Sequence, residues 1–184
     1  MKVLKYILFT IGGIIALVLI IALFIPKKYT VERAVVIQAP QPLVMDQLRY
    51  LKNANAWSPF TEKDPDIQIT YAGTDGQVGA SSHWESKKAG VGTQTITSLS
   101  NDRMETRLDF KKPMESTSVG YFQTQDEAGG VKVTWGMKGE NPYPLNFMCL
   151  FMDNMLGKEF DKGLNNLKVR AEGMAKGAPA PAAI

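Results

Sequence analysis

The residues best suited to acid–base or metal chemistry are few, and they do not form a recognisable set. His83 is the only histidine among 184 residues. Metal centres need several ligands, and nucleophilic catalysis needs a base beside the nucleophile. Because successive strand residues point to opposite faces, His83 should lie opposite Trp84 and face solvent. The sequence therefore predicts no catalytic histidine, no metal site and no cofactor.

Two further patterns resemble ion-binding loops without meeting their requirements. Three acidic residues cluster in positions 62–66, but the spacing and glycine of a calcium loop are missing. Glycines recur at every third position in 73–79, but no Lys-Ser or Lys-Thr pair follows them, as it would in a phosphate-binding loop. We interpret the first as a solvated acidic loop and the second as a hairpin turn.

The charge of the chain argues against a nucleic-acid partner. The formal net charge is +3, but four of the 21 basic residues flank one apolar stretch near the N-terminus, which leaves 17 against 18 acidic residues. A nucleic-acid-binding domain should carry a strongly basic face. The sequence also has one cysteine, Cys149, and this excludes an internal disulfide.

The apolar stretch at residues 6–25 contains no charged residue and is flanked by lysines on both sides. Roughly 20 helical residues cross the ~30 Å hydrocarbon core of a bilayer. A cleaved signal peptide would have a shorter apolar region, of roughly 7–15 residues, followed by small residues at the cleavage site. Because bulky residues end this stretch, we predict that residues 1–28 form an uncleaved, single-pass transmembrane anchor.

The orientation of this anchor is weakly determined, because lysines lie at both of its ends. We expect the five-residue N-terminal tail to lie inside and the domain to be extracytoplasmic, in the periplasm. The first strand begins at Tyr29, directly after the anchor, so the domain should stay close to the membrane.

The second half of the chain predicts a strand, a proline turn and a long closing helix. Apolar residues alternate with polar ones through 131–138, as in a half-buried strand, and two prolines in 141–144 end it. Apolar residues then recur at steps of three and four, which indicates one stripe on a helix. These residues are Leu156, Phe160, Leu164, Leu167, Ala171 and Met174. Such a stripe needs a sheet to pack against.

The remaining segments supply that sheet. The predicted order is a strand at 29–37, two short helices within 43–60, six successive antiparallel strands from 67 to 138, and the long helix. We take residues 29–174 as one domain. The segment 175–184 is mostly Ala, Pro and Gly, and we expect it to be a disordered tail.

Several segments resemble a known superfamily. They are Val35–Pro40, Trp57-Ser58-Pro59, Gly120-Tyr121-Phe122, Thr134–Met137 and Gly157–Lys168. They are similar to the START-like, or SRPBCC, superfamily, near its polyketide cyclase/dehydrase branch. The resemblance covers roughly residues 29–173. It implies an α+β helix-grip fold, in which a curved antiparallel sheet of about seven strands wraps a long C-terminal helix, and it implies an apolar pocket between the two.

The candidate ligand-binding residues are the inward positions of the strands and the helix stripe. They are Tyr71, Trp84, Met104, Leu108, Phe110, Phe122, Trp135, Met137, Phe160, Gly163 and Leu164. The missing side chain at Gly163 would leave room for a ligand. The alternative is that the same residues fill an ordinary core.

Three functions are consistent with these features. The leading hypothesis is a membrane-tethered protein that binds a small hydrophobic or lipid-like molecule. The second is an enzyme similar to polyketide cyclases or dehydratases, which would need titratable groups in the pocket. The third is a chaperone-type protein-interaction module, which predicts a filled core and an exposed apolar patch.

Overall fold

The computed structural model describes residues 2–177 as five α-helices and seven β-strands. The helices are α1 (Lys2–Ala22), α2 (Gln41–Arg49), α3 (Leu51–Trp57), α4 (Pro59–Lys63) and α5 (Cys149–Ala175). The strands are β1 (Lys28–Ile37), β2 (Gln68–Ala72), β3 (Ser81–Ser86), β4 (Gly90–Leu99), β5 (Arg103–Lys112), β6 (Ser116–Glu127) and β7 (Gly130–Glu140). A 3₁₀ turn, Leu145–Met148, precedes α5.

All seven strands form one antiparallel sheet in the order β1-β7-β6-β5-β4-β3-β2. Strands β2 to β7 therefore pair with their neighbours in sequence, and β1 is added beside β7. The sheet curves around α5, and this arrangement confirms the predicted helix-grip fold.

The core lies where the second half of α5 crosses the concave face of the sheet. Leu164, Leu167 and Ala171 of α5 are buried there against strand residues such as Ile37 and Val133. Helix α2 covers the same end and buries Leu48. Full burial of each large apolar side chain stabilises the fold by about 1.5–3 kcal/mol, so this cluster is the main anchor of the helix on the sheet.

Three boundaries differ from the predicted ones. The long helix begins at Cys149, about two turns earlier than its apolar stripe indicated, and it continues through Ala175. The second short helix is divided at Ser58, whose hydroxyl accepts a hydrogen bond from the backbone N–H of Phe60 at 3.3 Å. Most of the predicted tail, residues 178–184, lies outside the described residues.

An arginine on β1 fastens the first half of α5 to the sheet. The Arg33 guanidinium donates to both carboxylate oxygens of Asp153, at 2.8 and 3.0 Å, and to Asp161 at 3.3 Å. Between these two acids lies Gly157, where a Cβ atom would overlap the guanidinium. The ion pairs therefore depend on the missing side chain at Gly157.

We expect Gly157→Ala to destabilise the fold by about 0–1 kcal/mol, because the added methyl group displaces Arg33 from its acids and exposed ion pairs of this kind contribute little. Gly173→Ala is the matched control on the same helix, since nothing lies within 4 Å of a Cβ at that position. It should change stability by no more than about 1 kcal/mol, in the stabilising direction. Thermal unfolding of the two full-length variants, followed by circular dichroism, tests this, and equal midpoints would contradict it.

Candidate functional site

A cavity of about 230 Å³ lies between the concave face of the sheet, helices α3 and α4, and the first half of α5. Its walls are mostly apolar and aromatic. They are formed by Ala54, Asn55, Trp57, Ser58, Phe60, Thr61, Ile67, Ile69, Ser82, Trp84, Ala89, Gln94, Thr106, Leu108, Phe110, Gly120, Tyr121, Phe122, Trp135, Met137, Leu156 and Phe160. None of these described lining residues carries a formal charge.

Aromatic contacts hold one wall of the cavity in place. Trp135 stacks on Phe160 with 4.2 Å between ring centroids, and it meets Trp57 edge-on at 5.5 Å. The Trp57 indole N–H donates to the backbone carbonyl of Gln47 at 3.1 Å, which fixes the ring. Offset or edge-on pairs of this kind add about 0.5–1.5 kcal/mol each to the burial of the rings. This wall is therefore preorganised.

Three polar side chains interrupt the apolar lining on β3, β4 and β5. The Gln94 amide donates to the Thr106 hydroxyl at 3.3 Å, and this hydroxyl lies 3.4 Å from the carbonyl oxygen of Gly120, to which it donates. The Ser82 side chain is buried in the same region. Its hydroxyl makes no hydrogen bond to any other described residue. The cavity thus offers hydrogen-bonding groups to a molecule inside it.

The partly exposed lining residues mark the opening of the cavity beside α4 and β2. Phe60 is the most exposed of them, at 36%, and Asn55, Thr61 and Ile69 retain intermediate exposure. At the rim, the Asn55 amide donates to the Tyr71 hydroxyl at 3.1 Å. The mouth is therefore framed by a phenyl ring and an amide–phenol pair.

One of the three acidic residues near this opening, Asp64, is buried and structural, whereas Glu62 and Asp66 are exposed as in the predicted solvated loop. The Asp64 side chain is buried and accepts a hydrogen bond from the Ser86 hydroxyl, and this bond lowers the pKa of the Asp64 carboxyl. The Ser86 oxygen in turn accepts from the backbone of Lys88 and Ala89 and shapes the β3–β4 turn. Within residues 2–177, no group of three His, Cys, Asp or Glu residues could hold a metal ion.

The opposite, convex face of the sheet carries a buried tyrosine, Tyr121. The Tyr121 ring lies over Gly136, where a Cβ would overlap it, and its hydroxyl donates to the Glu32 carboxylate. The Arg103 guanidinium covers the ring at 4.4 Å from its centroid. Burial and the neighbouring Glu32 carboxylate raise the pKa of the Tyr121 phenol to about 12.

Comparison with known proteins identifies the family of this domain. The family described as "Polyketide cyclase / dehydrase and lipid transport" matches residues 28–172, which is the whole sheet and nearly all of α5. The chain belongs to this family. A comparison with curated proteins gives no match.

Solved structures of low sequence identity share the fold. The di-domain ARO/CYC StfQ from the steffimycin biosynthetic pathway has a TM-score of 0.63 and 12% identity, over 81% of this chain and 52% of that one. A protein from Nitrosospira multiformis has a TM-score of 0.59 and 16% identity, over 80% and 99%. The Aha1 dimer from Colwellia psychrerythraea has a TM-score of 0.55 and 15% identity, over 78% and 96%.

In this member of the polyketide cyclase / dehydrase and lipid transport family, the cavity brings together seven of the residues predicted as ligand-binding. These are Trp84, Leu108, Phe110, Phe122, Trp135, Met137 and Phe160. Met104 and Leu164 are instead buried in the core, and Tyr71 lies at the rim. Ligand binding by the seven residues stays a prediction.

Gly163 does not leave the room that the sequence indicated. A Cβ at this position would lie 2.5 Å from the Trp135 ring and 2.9 Å from Pro59. The missing side chain therefore lets α5 approach the sheet and α4, and no part of the cavity lies there.

The sequence prediction missed the polar lining residues and the contribution of α3 and α4. Ser82 and Thr106 alternate with the predicted positions Trp84, Met104 and Leu108, so the strand period did place them on the inner face. An apolar stripe does not single out polar residues on the same face. No sequence pattern places Ala54 and Phe60 at the cavity, because helices as short as α3 and α4 do not show an apolar periodicity.

The Tyr121 environment predicts a loss of stability at alkaline pH. Because its folded-state pKa of about 12 is raised above the unfolded value of 10.0, the contribution is complete below pH 10 and is lost as the pH rises towards 12. Absorbance titration of the full chain near 295 nm should show late-titrating phenols, because burial also raises the pKa of Tyr29, and Tyr121→Phe should remove the Tyr121 component. A variant with the same late component as the wild type would contradict this.

Proposed function

We propose that this chain is a membrane-tethered protein that binds a small, uncharged and mostly apolar molecule in the cavity between its sheet and α5. The observation that carries the proposal is the composition of the cavity wall, which is mostly apolar and aromatic and carries uncharged hydrogen-bonding side chains, among them Ser82, Gln94 and Thr106. The match to a family whose description includes lipid transport supports it.

The volume of the cavity limits the size of the ligand. An apolar cavity of roughly 150 Å³ in another protein holds one benzene ring. At about 230 Å³, this cavity suits a molecule of about two rings or a short acyl chain. A longer molecule would extend through the mouth beside Phe60.

The lining also limits the charge of the ligand. A charged group in this cavity would lose its hydration without meeting a counter-ion, which costs several kcal/mol. A hydroxyl or carbonyl group would instead meet Ser82 and Gln94. We therefore propose that the ligand carries one uncharged hydrogen-bonding group on an apolar body.

The lining favours binding over a cyclase or dehydratase reaction. General acid–base catalysis needs a group that titrates near the working pH and reaches the substrate. The described lining side chains offer hydroxyl, amide and indole groups, and the one lining phenol, that of Tyr121, is turned to Glu32 on the convex face. The presence of the cavity argues against the chaperone-type protein-interaction module, which would have a filled core.

Features at both ends of α1 support a membrane tether. Helix α1 is long and apolar enough to cross a membrane, a property that a signal sequence shares. Its C-terminal end, however, is bound by the domain, because the buried Asn146 amide donates to the carbonyl oxygens of Ala22 at 2.6 Å and Ile25 at 2.8 Å. A segment removed by cleavage would not need these bonds, so we favour an anchor. Lys2 and Lys5 precede the apolar stretch, and we propose that they lie on the cytoplasmic side with the domain extracytoplasmic.

Filling the cavity should abolish binding. Ala54 lines the cavity, whereas Ala56 on the same short helix does not, and both are half-buried. The full-length wild-type chain is purified gently in detergent, and the detergent is removed in the native mass spectrometer. We expect an uncharged molecule to stay bound to the wild-type protein. Ala54→Phe should be empty and Ala56→Phe should be loaded like the wild type.

Thermal unfolding of both alanine variants checks that each is folded. The proposal would be contradicted by equal loading of the two variants, or by a charged metabolite as the main bound mass. An empty wild-type protein that also takes up no added apolar compound would remove the ligand-binding function.

Gln94→Leu should weaken binding of a ligand that has a polar group. The loss of one hydrogen bond in a buried site costs about 0.5–1.5 kcal/mol, so the affinity should fall up to about tenfold. Gln125→Leu is the control, since this side chain is exposed on the convex face. The measurement is a titration of each variant with the recovered molecule, and unchanged affinity in Gln94→Leu would exclude the polar contact.

A further inference from the structure

The start of α5 exposes apolar side chains that a water-facing helix would not carry. Leu150, Phe151 and Met155 are 62, 54 and 58% exposed, and Tyr143 just before the 3₁₀ turn is 43% exposed. The only charged residue in 143–155 is Asp153, and it is paired with Arg33. Contiguous exposed apolar surface usually marks an interaction site.

This surface begins where α1 ends. Asn146, in the 3₁₀ turn, holds the carbonyl oxygens of Ala22 and Ile25, and Leu150 follows it by four residues, or about 6 Å of helix. The Cys149 thiol donates to the carbonyl oxygen of Lys27 at 3.3 Å, and so does the backbone N–H of Asn141, at 2.8 Å. The end of the apolar helix and the start of α5 are therefore one connected unit.

The composition of the unit matches the boundary of a bilayer. Lys27 and Lys28 are exposed at the end of α1, where lipid phosphates would lie. Tyrosine is typical of the headgroup region, since its ring is apolar and its hydroxyl is polar, and phenylalanine and leucine are typical of the lipid-facing side of interfacial helices. The exposed rings and methionine would be poorly hydrated in water and well accommodated among lipid headgroups.

We propose that residues 143–155 form a second membrane contact, immersed in the headgroup region of the bilayer that α1 spans. The proposal rests on the proposed anchor. Its occupant is the lipid surface, because the apolar patch continues directly from the end of the membrane helix. Leu156, the next residue of α5, lines the cavity. One wall of the cavity therefore lies directly beside the lipid surface, and the ligand enters the cavity from the bilayer.

Depth-dependent fluorescence quenching tests this in the full chain. In a Cys149→Ser background, the fluorophore NBD is attached at Phe151→Cys or Met155→Cys. Val169→Cys is the matched control, since Val169 is 62% exposed on the same helix, fourteen residues or about 21 Å beyond Met155. Ile15→Cys reports on α1. Each protein is reconstituted in vesicles of equal parts phosphatidylcholine and phosphatidylglycerol, with the doxyl quencher near the headgroup or deep in the acyl chain.

We expect labels at 151 and 155 to show blue-shifted emission and several-fold stronger quenching by the headgroup-level doxyl than the label at 169. The label at 15 should be quenched by the deep doxyl. If the labels at 151 and 155 are quenched no more than the label at 169, while the label at 15 is quenched by the deep doxyl, the second contact is overturned and the anchor stands. If the label at 15 is not quenched, both the anchor and the second membrane contact are overturned. Blue-shifted emission at 151 and 155 without lipid quenching would mean that a protein covers the patch, and would also overturn the proposal.

Discussion

The structure depends on the packing of one straight helix against one curved sheet. Helix α5 makes close contact with the concave face around Leu164, Leu167 and Ala171, where the core is filled. A straight rod cannot follow a curved surface along its whole length, so the first half of the helix stays beside β1 through Arg33 and separates from β3, β4 and β5. The stacked rings of Trp135 and Phe160 bridge the gap where it opens, and the cavity lies beside them.

Two glycines determine how closely α5 approaches the sheet and α4. Gly163 accommodates the Trp135 ring and Pro59, and Gly157 accommodates the Arg33 guanidinium that joins β1 to two acids on α5. Each missing side chain is thus filled by a neighbouring group that fixes the helix. The free volume is found instead under α3 and α4, which form a lid made of two short helices.

The sequence predicted the architecture because strands and a striped helix have characteristic periods. It could not separate cavity from core, because both lie on the inner face. Met104 and Leu108 share one face of β5, yet one is packed in the core and the other lines the cavity. The same holds for Leu164 and Phe160, one turn apart on α5. The start of α5 was also missed, since residues 147–151 are apolar on all sides and show no helical stripe.

The bonds from Asn146 to the end of α1 have a consequence for how cargo would travel. If α1 spans a bilayer as proposed, these bonds and the absence of a flexible linker before β1 would hold the domain at a constant tilt and height above the lipid. A protein held in this way could not carry a ligand across an aqueous compartment. It would instead release its ligand to an acceptor that diffuses within the plane of the same membrane.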